Sequence, residues 1–209
     1  MPLSQTDMKG YCHLAAVAVR REPSHRSEMV NQLLCGDSFD VMFDEGEWSL
    51  IRGDYDHYTG WIDNRQYSLE PLTLDADRSA VPVSPSRYAA DHYLGAPYLW
   101  GGRTALGIDC SGLTQVCFQQ CGIRLYRDAS QQVLQGEAVE FDSLRADDLC
   151  FFGHSSDRIT HVGIAMGDGR IIHASGMVRI DTLTRQGIYV DATKSYSHQL
   201  QAIKRVMTK

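Results

Sequence analysis

The sequence lacks the features that would place the chain in a membrane or on a nucleic acid. The longest apolar run near its start, Leu14 to Val19, is far too short to span a bilayer. The first ten residues carry neither the basic nor the apolar region of a signal peptide. With a formal net charge of −6, the chain has no extended basic patch. We therefore expect a cytoplasmic protein without membrane or nucleic-acid partners, although a secreted chain trimmed of its signal would show the same pattern.

The chain also lacks the cysteine spacing of a zinc site. Cys110, Cys117 and Cys121 follow one another at intervals of seven and four, which is not a zinc pattern. We expect no metal and no cofactor. The simplest interpretation of the six cysteines is that they are reduced thiols. The cysteines are Cys12, Cys35, Cys110, Cys117, Cys121 and Cys150.

Two domains are predicted within the 209 residues. Residues 1–75 contain short strand patterns separated by turn residues, such as Phe39–Phe43 and Trp48–Arg52, and this favours a small β-barrel. Residues 76–86 resemble a linker, rich in aspartate, proline and serine. Residues 87–209 form the second domain, and we expect it to open with a short helix capped at Ser86.

A Gly-rich loop in the second domain leads into a helix that begins at Cys110. Asp109 is a favourable N-cap residue, and Gly122 is a favourable stop. At this position the helix dipole and the free N–H groups favour a thiolate, so Cys110 is a candidate nucleophile. Cys117 and Cys121 lie on the apolar stripe of the same helix, and we interpret them as small core residues.

Two histidines farther along the chain lie on a predicted hairpin. A three-residue hairpin loop, with Gly169 in the left-handed conformation and a bulge, pairs Met166 with Arg170. It places His173 opposite Gly163, on the same face as His161. A two-residue loop at Asp168–Gly169 would place the two histidines on opposite faces. We expect the first arrangement, in which Gly163 leaves room between the imidazoles.

Cys110, His161 and His173 can supply a nucleophile, a base and a group that orients the base. The implied reaction is acyl transfer through a thioester, with the Cys110 N–H as the oxyanion donor. The remaining histidines are interpreted as ordinary surface or turn residues: His13, His25, His57, His92, His154 and His198.

Three separated blocks in the second domain resemble the NlpC-type family of papain-like cell-wall cysteine peptidases. They are Tyr98-Leu-Trp-Gly-Gly, Gly107-Ile-Asp-Cys-Ser-Gly and His161-Val-Gly-Ile followed by Ile172-His-Ala. In the first domain, Arg21-Glu-Pro-Ser and Tyr58-Thr-Gly-Trp resemble a bacterial SH3-like domain. The resemblance implies an α+β fold: a small SH3-like β-barrel, then a papain-like domain whose nucleophile helix packs on an antiparallel sheet.

The two-domain layout is similar to that of the γ-D-glutamyl-L-diamino acid endopeptidases, which cut peptidoglycan stem peptides that have a free N-terminal L-Ala. The resemblance implies that Cys110 is the nucleophile, His161 the base and His173 the third catalytic residue. It also implies five residues that bind substrate: Tyr98, Asp109, Ser111, Glu28 and Tyr58.

Two departures from the family pattern concern the barrel and the start of the chain. Some relatives have two SH3-like domains where this chain has one, and the missing signal favours recycling of imported peptides over remodelling of the wall. The alternatives within enzymes are an amidase or a hydrolase of intact cell wall. The alternative from another class is a non-catalytic module that binds cell-wall peptides.

Overall fold

The computed structural model describes residues 8–72 and 84–207. Among these residues, 8–72 and Trp100–Thr104 form one compact unit, while 84–99 and 105–207 form a second. Most of the predicted linker, residues 76–83, lies outside the described residues, so the predicted domain boundaries stay a prediction.

The first unit is built on one antiparallel sheet of six strands. They are β1 (Met8–Tyr11), β2 (Ala16–Arg20), β3 (Met29–Leu34), β4 (Ser38–Glu45), β5 (Trp48–Gly53) and β6 (Thr59–Asp63). Their spatial order is β1-β4-β5-β6-β2-β3. Alternate side chains such as Phe39, Val41 and Ile51 point into a common core, as expected for a sheet with one solvated face. A short strand β7 (Arg103–Thr104) also belongs to this unit.

Three helices belong to the second unit: α1 (Pro85–Tyr93), α2 (Cys110–Gln119) and α3 (Ala129–Gln132). Helix α1 begins two residues earlier than predicted, because Ser84 caps it and its hydroxyl accepts a hydrogen bond from the N–H of Arg87. Proline suits the first helical position, since its missing N–H would have had no helical partner. Helix α2 is buried on nearly all sides, and it begins at Cys110 as predicted.

The strands of the second unit form a sheet that closes on itself. After the short strand β8 (Gly107–Ile108), they are β9 (Glu137–Ala138), β10 (Leu149–Ser155), β11 (Arg158–Gly167), β12 (Arg170–Ser175), β13 (Met177–Leu183), β14 (Gly187–Val190) and β15 (Ser195–Arg205). Strands β10 to β15 follow one another around the sheet, and β15 pairs with β10 to close it. All of these pairs are antiparallel, and α2 packs against β11 and β12. The predicted α+β fold is confirmed.

The register of the histidine hairpin is the predicted one. Gly163 lies opposite His173 across β11 and β12, and His161 shares their face of the sheet. A Cβ atom at Gly163 would lie 2.9 Å from the Cβ of His173, closer than such atoms approach one another. Glycine therefore leaves the space in which the two imidazoles meet.

The loop that sets this register differs from the prediction. Gly167 pairs with Arg170, so the loop has two residues, Asp168–Gly169, and both have positive φ angles, of 48° and 74°. That geometry is typical of the tight turns favoured in hairpins. A bulge at Met166 adds one residue to β11 and returns both histidines to one face. The predicted loop length of three residues was wrong, whereas the left-handed Gly169 was predicted correctly, and the bulge lies at Met166.

None of the helices within residues 8–72 and 84–207 is long and apolar enough to cross a membrane.

Candidate active site

The nucleophile side of the site is the first turn of α2. Asp109 has extended backbone angles, and its carboxylate accepts a hydrogen bond of 2.6 Å from the N–H of Gly112. Cys110 follows as the first helical residue and is only 5% exposed. Its sulfur receives hydrogen bonds from the backbone of Val162 on β11 and of Ser111. The candidate nucleophile is thereby held against the strand that carries His161.

Burial raises the pKa of the Cys110 thiol to about 12, and the adjacent Asp109 carboxylate adds to the rise. The hydrogen bonds to the sulfur and the Arg127 guanidinium lower the pKa, but by less. The thiolate predicted from the helix terminus is therefore wrong for the resting site, because loss of solvation outweighs the helix N-terminus. A protonated thiol of this kind needs a base that takes its proton as it reacts.

A buried arginine fixes the turn that carries Cys110. The Arg127 guanidinium donates to both carboxylate oxygens of Asp109, at 3.0 and 2.6 Å, and to the hydroxyl of Ser111 at 2.9 Å. Arg127 is 1% exposed and Asp109 is 4% exposed. The planar guanidinium of Arg127 thus holds both chain neighbours of Cys110, Asp109 and Ser111.

The base side of the site is a chain of hydrogen bonds across three strands. His161 Nε2 on β11 lies 2.9 Å from His173 Nδ1 on β12. His173 Nε2 lies 2.9 Å from Asp181 Oδ2 on β13. The other oxygen of Asp181 accepts a hydrogen bond of 2.8 Å from Arg179. We call His161, His173 and Asp181 the relay.

The charges of the relay follow from its surroundings. Burial raises the pKa of Asp181, but the hydrogen bonds from Arg179 and His173 outweigh burial and hold the pKa below its usual value. Burial lowers the pKa of His173 despite the opposing effect of Asp181. Burial, His198 and His173 together hold the pKa of His161 well below its ordinary value. The relay is therefore two neutral imidazoles in line with one carboxylate.

This charge state assigns the protons of both rings. The Asp181 carboxylate can only accept, so His173 must carry its proton on Nε2, and Nδ1 is then an acceptor. His161 must donate to that acceptor, which places its proton on Nε2. The remaining nitrogen, Nδ1 of His161, carries a lone pair that can act as a base.

His198 was interpreted from the sequence as an ordinary surface or turn residue, but it lies at the centre of the site. Its ring stacks on that of His161, with centroids 4.1 Å apart and planes inclined at 23°. Phe152 lies against the His161 ring as well, at 5.8 Å. Burial, and after it His173, lower the pKa of the half-buried His198 to about 4. His198 therefore shields one face of the imidazole whose Nδ1 is the candidate base.

The residues predicted to bind substrate fall into both units. In the second unit, the pKa of the half-buried Tyr98 is raised by burial and then by the negative charges of Cys110 and Asp109. Asp109 is bound by Arg127, so a substrate ammonium would have to share its carboxylate. Ser111 donates weakly to Asp109 at 3.4 Å and accepts from Arg127. The substrate roles of all three stay predictions.

The other two predicted binding residues belong to the first unit. Glu28 is exposed and accepts hydrogen bonds of 2.7 Å from both Arg21 and the indole of Trp100, which lower its pKa. Tyr58 is half-buried, and its N–H donates to the carboxylate of Asp56. Their roles in substrate binding also stay predictions.

Sequence reasoning missed three residues of this site: Asp181, Arg127 and His198. A usable signal existed for Asp181, because the residues after Gly176 alternate between apolar and polar side chains and so predict a third strand beside His173. No short motif marks Arg127 or His198. Both reach the site only through the folding of distant segments.

Two family models match the chain. Residues 95–198 match the model of the NlpC/P60 family. The chain therefore carries an NlpC/P60 domain. Residues 19–66 match the model described as the bacterial dipeptidyl-peptidase Sh3 domain, which confirms the SH3-like character of the first unit.

The chain is similar to two proteins of Bacillus subtilis. It is 35% identical to gamma-D-glutamyl-L-lysine dipeptidyl-peptidase over 138 residues, which is 60% of this chain and 44% of the relative. It is 41% identical to gamma-DL-glutamyl hydrolase over 118 residues, which is 55% of this chain and 27% of the relative. The chain thus matches less than half the length of either curated relative.

The fold also resembles a solved structure. An NlpC/P60 family protein from Bacillus cereus superposes on 98% of this chain and 65% of its own, with a TM-score of 0.53 and 21% identity. At that identity the likeness concerns the fold alone.

Proposed function

We propose that this protein is a cysteine peptidase in which Cys110 is the nucleophile and His161 the general base. The observation that carries the proposal is the relay of His161, His173 and Asp181, which leaves His161 Nδ1 as the unprotonated nitrogen. The Cys110 sulfur lies against β11, the strand that carries His161, and accepts a hydrogen bond from the backbone of Val162. A buried thiol and a neutral imidazole of fixed tautomer are the two partners that acyl transfer requires.

The reaction begins with the protonated thiol. His161 Nδ1 takes the proton of Cys110 as the sulfur attacks the carbonyl carbon, so that a carbon–sulfur bond forms and the carbonyl oxygen becomes an oxyanion. The N–H of Cys110, at the start of α2, has no partner within the helix and can donate to that oxyanion. The protonated His161 is stabilised through His173 by the negative charge of Asp181.

The second half of the reaction returns the proton. When the oxyanion collapses, the carbon–nitrogen bond breaks and His161 gives its proton to the leaving amine. Water, deprotonated by His161, then attacks the thioester and releases Cys110 as a thiol. The proton taken from Cys110 thus leaves with the amine, and a proton from water, passed on by His161, restores the thiol before the next turnover.

For the substrate we propose the γ-D-glutamyl–diamino acid bond of peptidoglycan stem peptides with a free N-terminal L-Ala. Two relatives, named gamma-D-glutamyl-L-lysine dipeptidyl-peptidase and gamma-DL-glutamyl hydrolase, share a γ-glutamyl bond in their names, which supports this choice. The carboxylates of Asp109 and Glu28 are the candidate partners of the substrate ammonium, with Tyr98, Ser111 and Tyr58 as hydrogen-bonding groups. A cytoplasmic role in peptide recycling stays a prediction.

The test is turnover of the tripeptide L-Ala-γ-D-Glu-diamino acid, with products identified by mass. The expected products are the dipeptide L-Ala-D-Glu and the free diamino acid. N-acetylation of the L-Ala removes its charge, and a desolvated charge pair broken from one side costs about 2–5 kcal/mol. We therefore expect kcat/KM to fall by roughly 30- to 5,000-fold, at about 1.4 kcal/mol for each factor of ten.

Equal kcat/KM for the free and acetylated peptides would refute the requirement for a free amine. Release of peptides from intact cell wall at a comparable rate would favour the alternative of a wall hydrolase. No cleavage of any wall peptide by the folded protein would favour the non-catalytic binding module instead. Cys110→Ala serves as the negative control in each assay.

A further inference from the structure

Three histidines of the site lie close enough together to bind a metal ion. Among the residues that the structure describes, His161, His173 and His198 each offer a ring nitrogen, and these three atoms lie within 4.8 Å of one another. Imidazole is a common ligand of zinc, and three protein ligands with one water is a typical open zinc site. The sequence spacing gave no sign of this group, because its members come from β11, β12 and β15.

We propose that these three histidines form an inhibitory site for a divalent zinc-like ion, which binds between His161 and His173 in place of their shared proton. Tetrahedral zinc with bonds of 2.0–2.1 Å places its ligand nitrogens about 3.3 Å apart. His161 Nε2 and His173 Nδ1 are already 2.9 Å apart and need to separate only slightly.

The hydrogen bonds of the His173 and His198 imidazoles favour metal binding. Histidines that bind metals usually donate their second N–H to a carboxylate or another acceptor, which fixes the ring. His173 Nε2 is bonded to Asp181 at 2.9 Å, which leaves Nδ1 for the ion. His198 Nδ1 is bonded to the Ser197 hydroxyl at 2.9 Å, which leaves Nε2.

His198 must turn for the site to close. Its ring is stacked face to face on that of His161, and the lone pairs of two rings stacked in this way lie in separate planes and do not converge on one ion. The side chain is half-buried and borders an open cavity of about 510 Å³, which Thr160 and Tyr196 also line. The cavity gives His198 room to leave the stack and swing its nitrogen toward the other two.

Inhibition follows from the tautomer of His161 and rests on the proposed function. To bind an ion through Nε2, His161 must carry its proton on Nδ1 instead, so the proton moves from one ring nitrogen to the other with none released. Nδ1 is then a donor and can no longer accept the proton of Cys110. The ion would therefore stop turnover without touching the sulfur.

The binding test is calorimetric titration of the full chain with zinc chloride. Wild type is expected to bind one ion that His198→Gln binds at least roughly tenfold more weakly. The matched control is His92→Gln, which removes an exposed histidine that also stacks on an aromatic ring, that of Tyr88 at 4.0 Å. His92→Gln and Cys110→Ser are expected to bind as wild type does.

Three calorimetric results would overturn the metal site. They are no zinc binding by wild type, undiminished binding by His198→Gln, or loss of binding in Cys110→Ser, since the last would place the ion on the thiol. A circular dichroism spectrum of each variant shows that it is folded before titration.

The activity test compares each variant with its own metal-free rate. Zinc is expected to inhibit wild type and His92→Gln, with EDTA restoring the rate, and to inhibit His198→Gln much less. Zinc binding without inhibition would show that the tautomer argument is wrong. If no peptide is cleaved under any condition, the proposed function fails while the calorimetry still decides the metal site.

Discussion

The helix side and the sheet side of the candidate active site are held together in different ways. On the helix side, Asp109, Cys110 and Ser111 are consecutive residues, and Arg127 binds the first and the last of them. On the sheet side, the three relay residues come from three neighbouring strands, so their meeting depends on the register of two strand pairs.

Substitutions should therefore disrupt the two sides in different ways. A turn of consecutive residues keeps its order whatever surrounds it, and its weak point is the buried charge of the ion pair. A relay across strands keeps its order only while every register holds, because a slip of one residue moves a side chain to the opposite face.

Cys110→Ala should remove turnover almost completely. Loss of a nucleophile costs several orders of magnitude in rate, and we expect a fall of about 10⁴-fold or more in kcat. Cys117→Ala is the matched control from the same helix, since Cys117 is fully buried in the core. It should lower the free energy of unfolding and spare turnover. A folded Cys110→Ala variant with substantial activity would exclude Cys110 as the nucleophile.

Asp181→Asn should reduce kcat by roughly 10²- to 10⁴-fold, because an amide can donate to His173 Nε2 and reverse the direction of the relay. His161 would then carry its proton on Nδ1 and could not accept another. Asp168→Asn is the control, as Asp168 pairs with Arg170 on the surface, at the turn between β11 and β12. Steady-state kinetics measure kcat for both variants. Equal rates for the two would show that Asp181 does not set the tautomer.

Arg127→Met should destabilise the fold by about 3–5 kcal/mol, because it leaves the Asp109 carboxylate buried without its partner. Adding Asp109→Asn should recover part of this loss, since the uncompensated charge is then gone. Urea denaturation of the single and double variants measures both effects. If Arg127→Met unfolds at the same urea concentration as wild type, the ion pair does not hold the helix side.

Gly163→Ala should cost about 1–3 kcal/mol of stability through overpacking. The new methyl would lie 2.8 Å from the Ile171 side chain and 2.9 Å from the Cβ of His173. The double variant with Ile171→Val should regain part of the stability but little of the turnover, because the contact with His173 remains. Full activity in Gly163→Ala would show that the spacing of the two histidines is not critical.

Asp63 provides the smallest effect and a reference outside the site. The hydrogen bonds from Arg65 lower the pKa of Asp63 to about 2, against an ordinary value of 3.8. Because the folded pKa is depressed, the stabilisation is fully present above pH 3.8 and is lost as the pH falls toward 2. Asp63→Asn should therefore be less stable than wild type at pH 6, and most of that difference should be gone near pH 2. Chemical denaturation at both values tests this, and a constant difference would contradict it.

Much of the helix side could be predicted because its signals are local. The N-cap at Asp109, the start of α2 at Cys110 and the glycine beyond its end all follow from preferences of neighbouring residues. The state of the thiol could not be predicted, since its pKa depends on how much water the surrounding fold removes. Local sequence shows a helix terminus but does not show the depth at which it is buried.

The sheet side was predictable only as far as one hairpin extends. The alternation around His161 and His173 and the turn between them were enough to place the two histidines on one face. Asp181 needed the next strand as well, and the notion that His198 is an ordinary surface residue was wrong because β15 returns to β10 from the far end of the chain.

By itself, the sequence determined the start of α2, the histidine hairpin with its register, the two-domain character and the identity of the candidate nucleophile and base. These features follow from side-chain periodicity and from capping and turn residues, which act over a few residues. Only the tertiary structure decided the raised pKa of Cys110, the ion pair between Asp109 and Arg127, and the positions of Asp181 and His198 beside the two histidines. Those features depend on burial and on contacts between residues far apart in the chain, which no local pattern encodes.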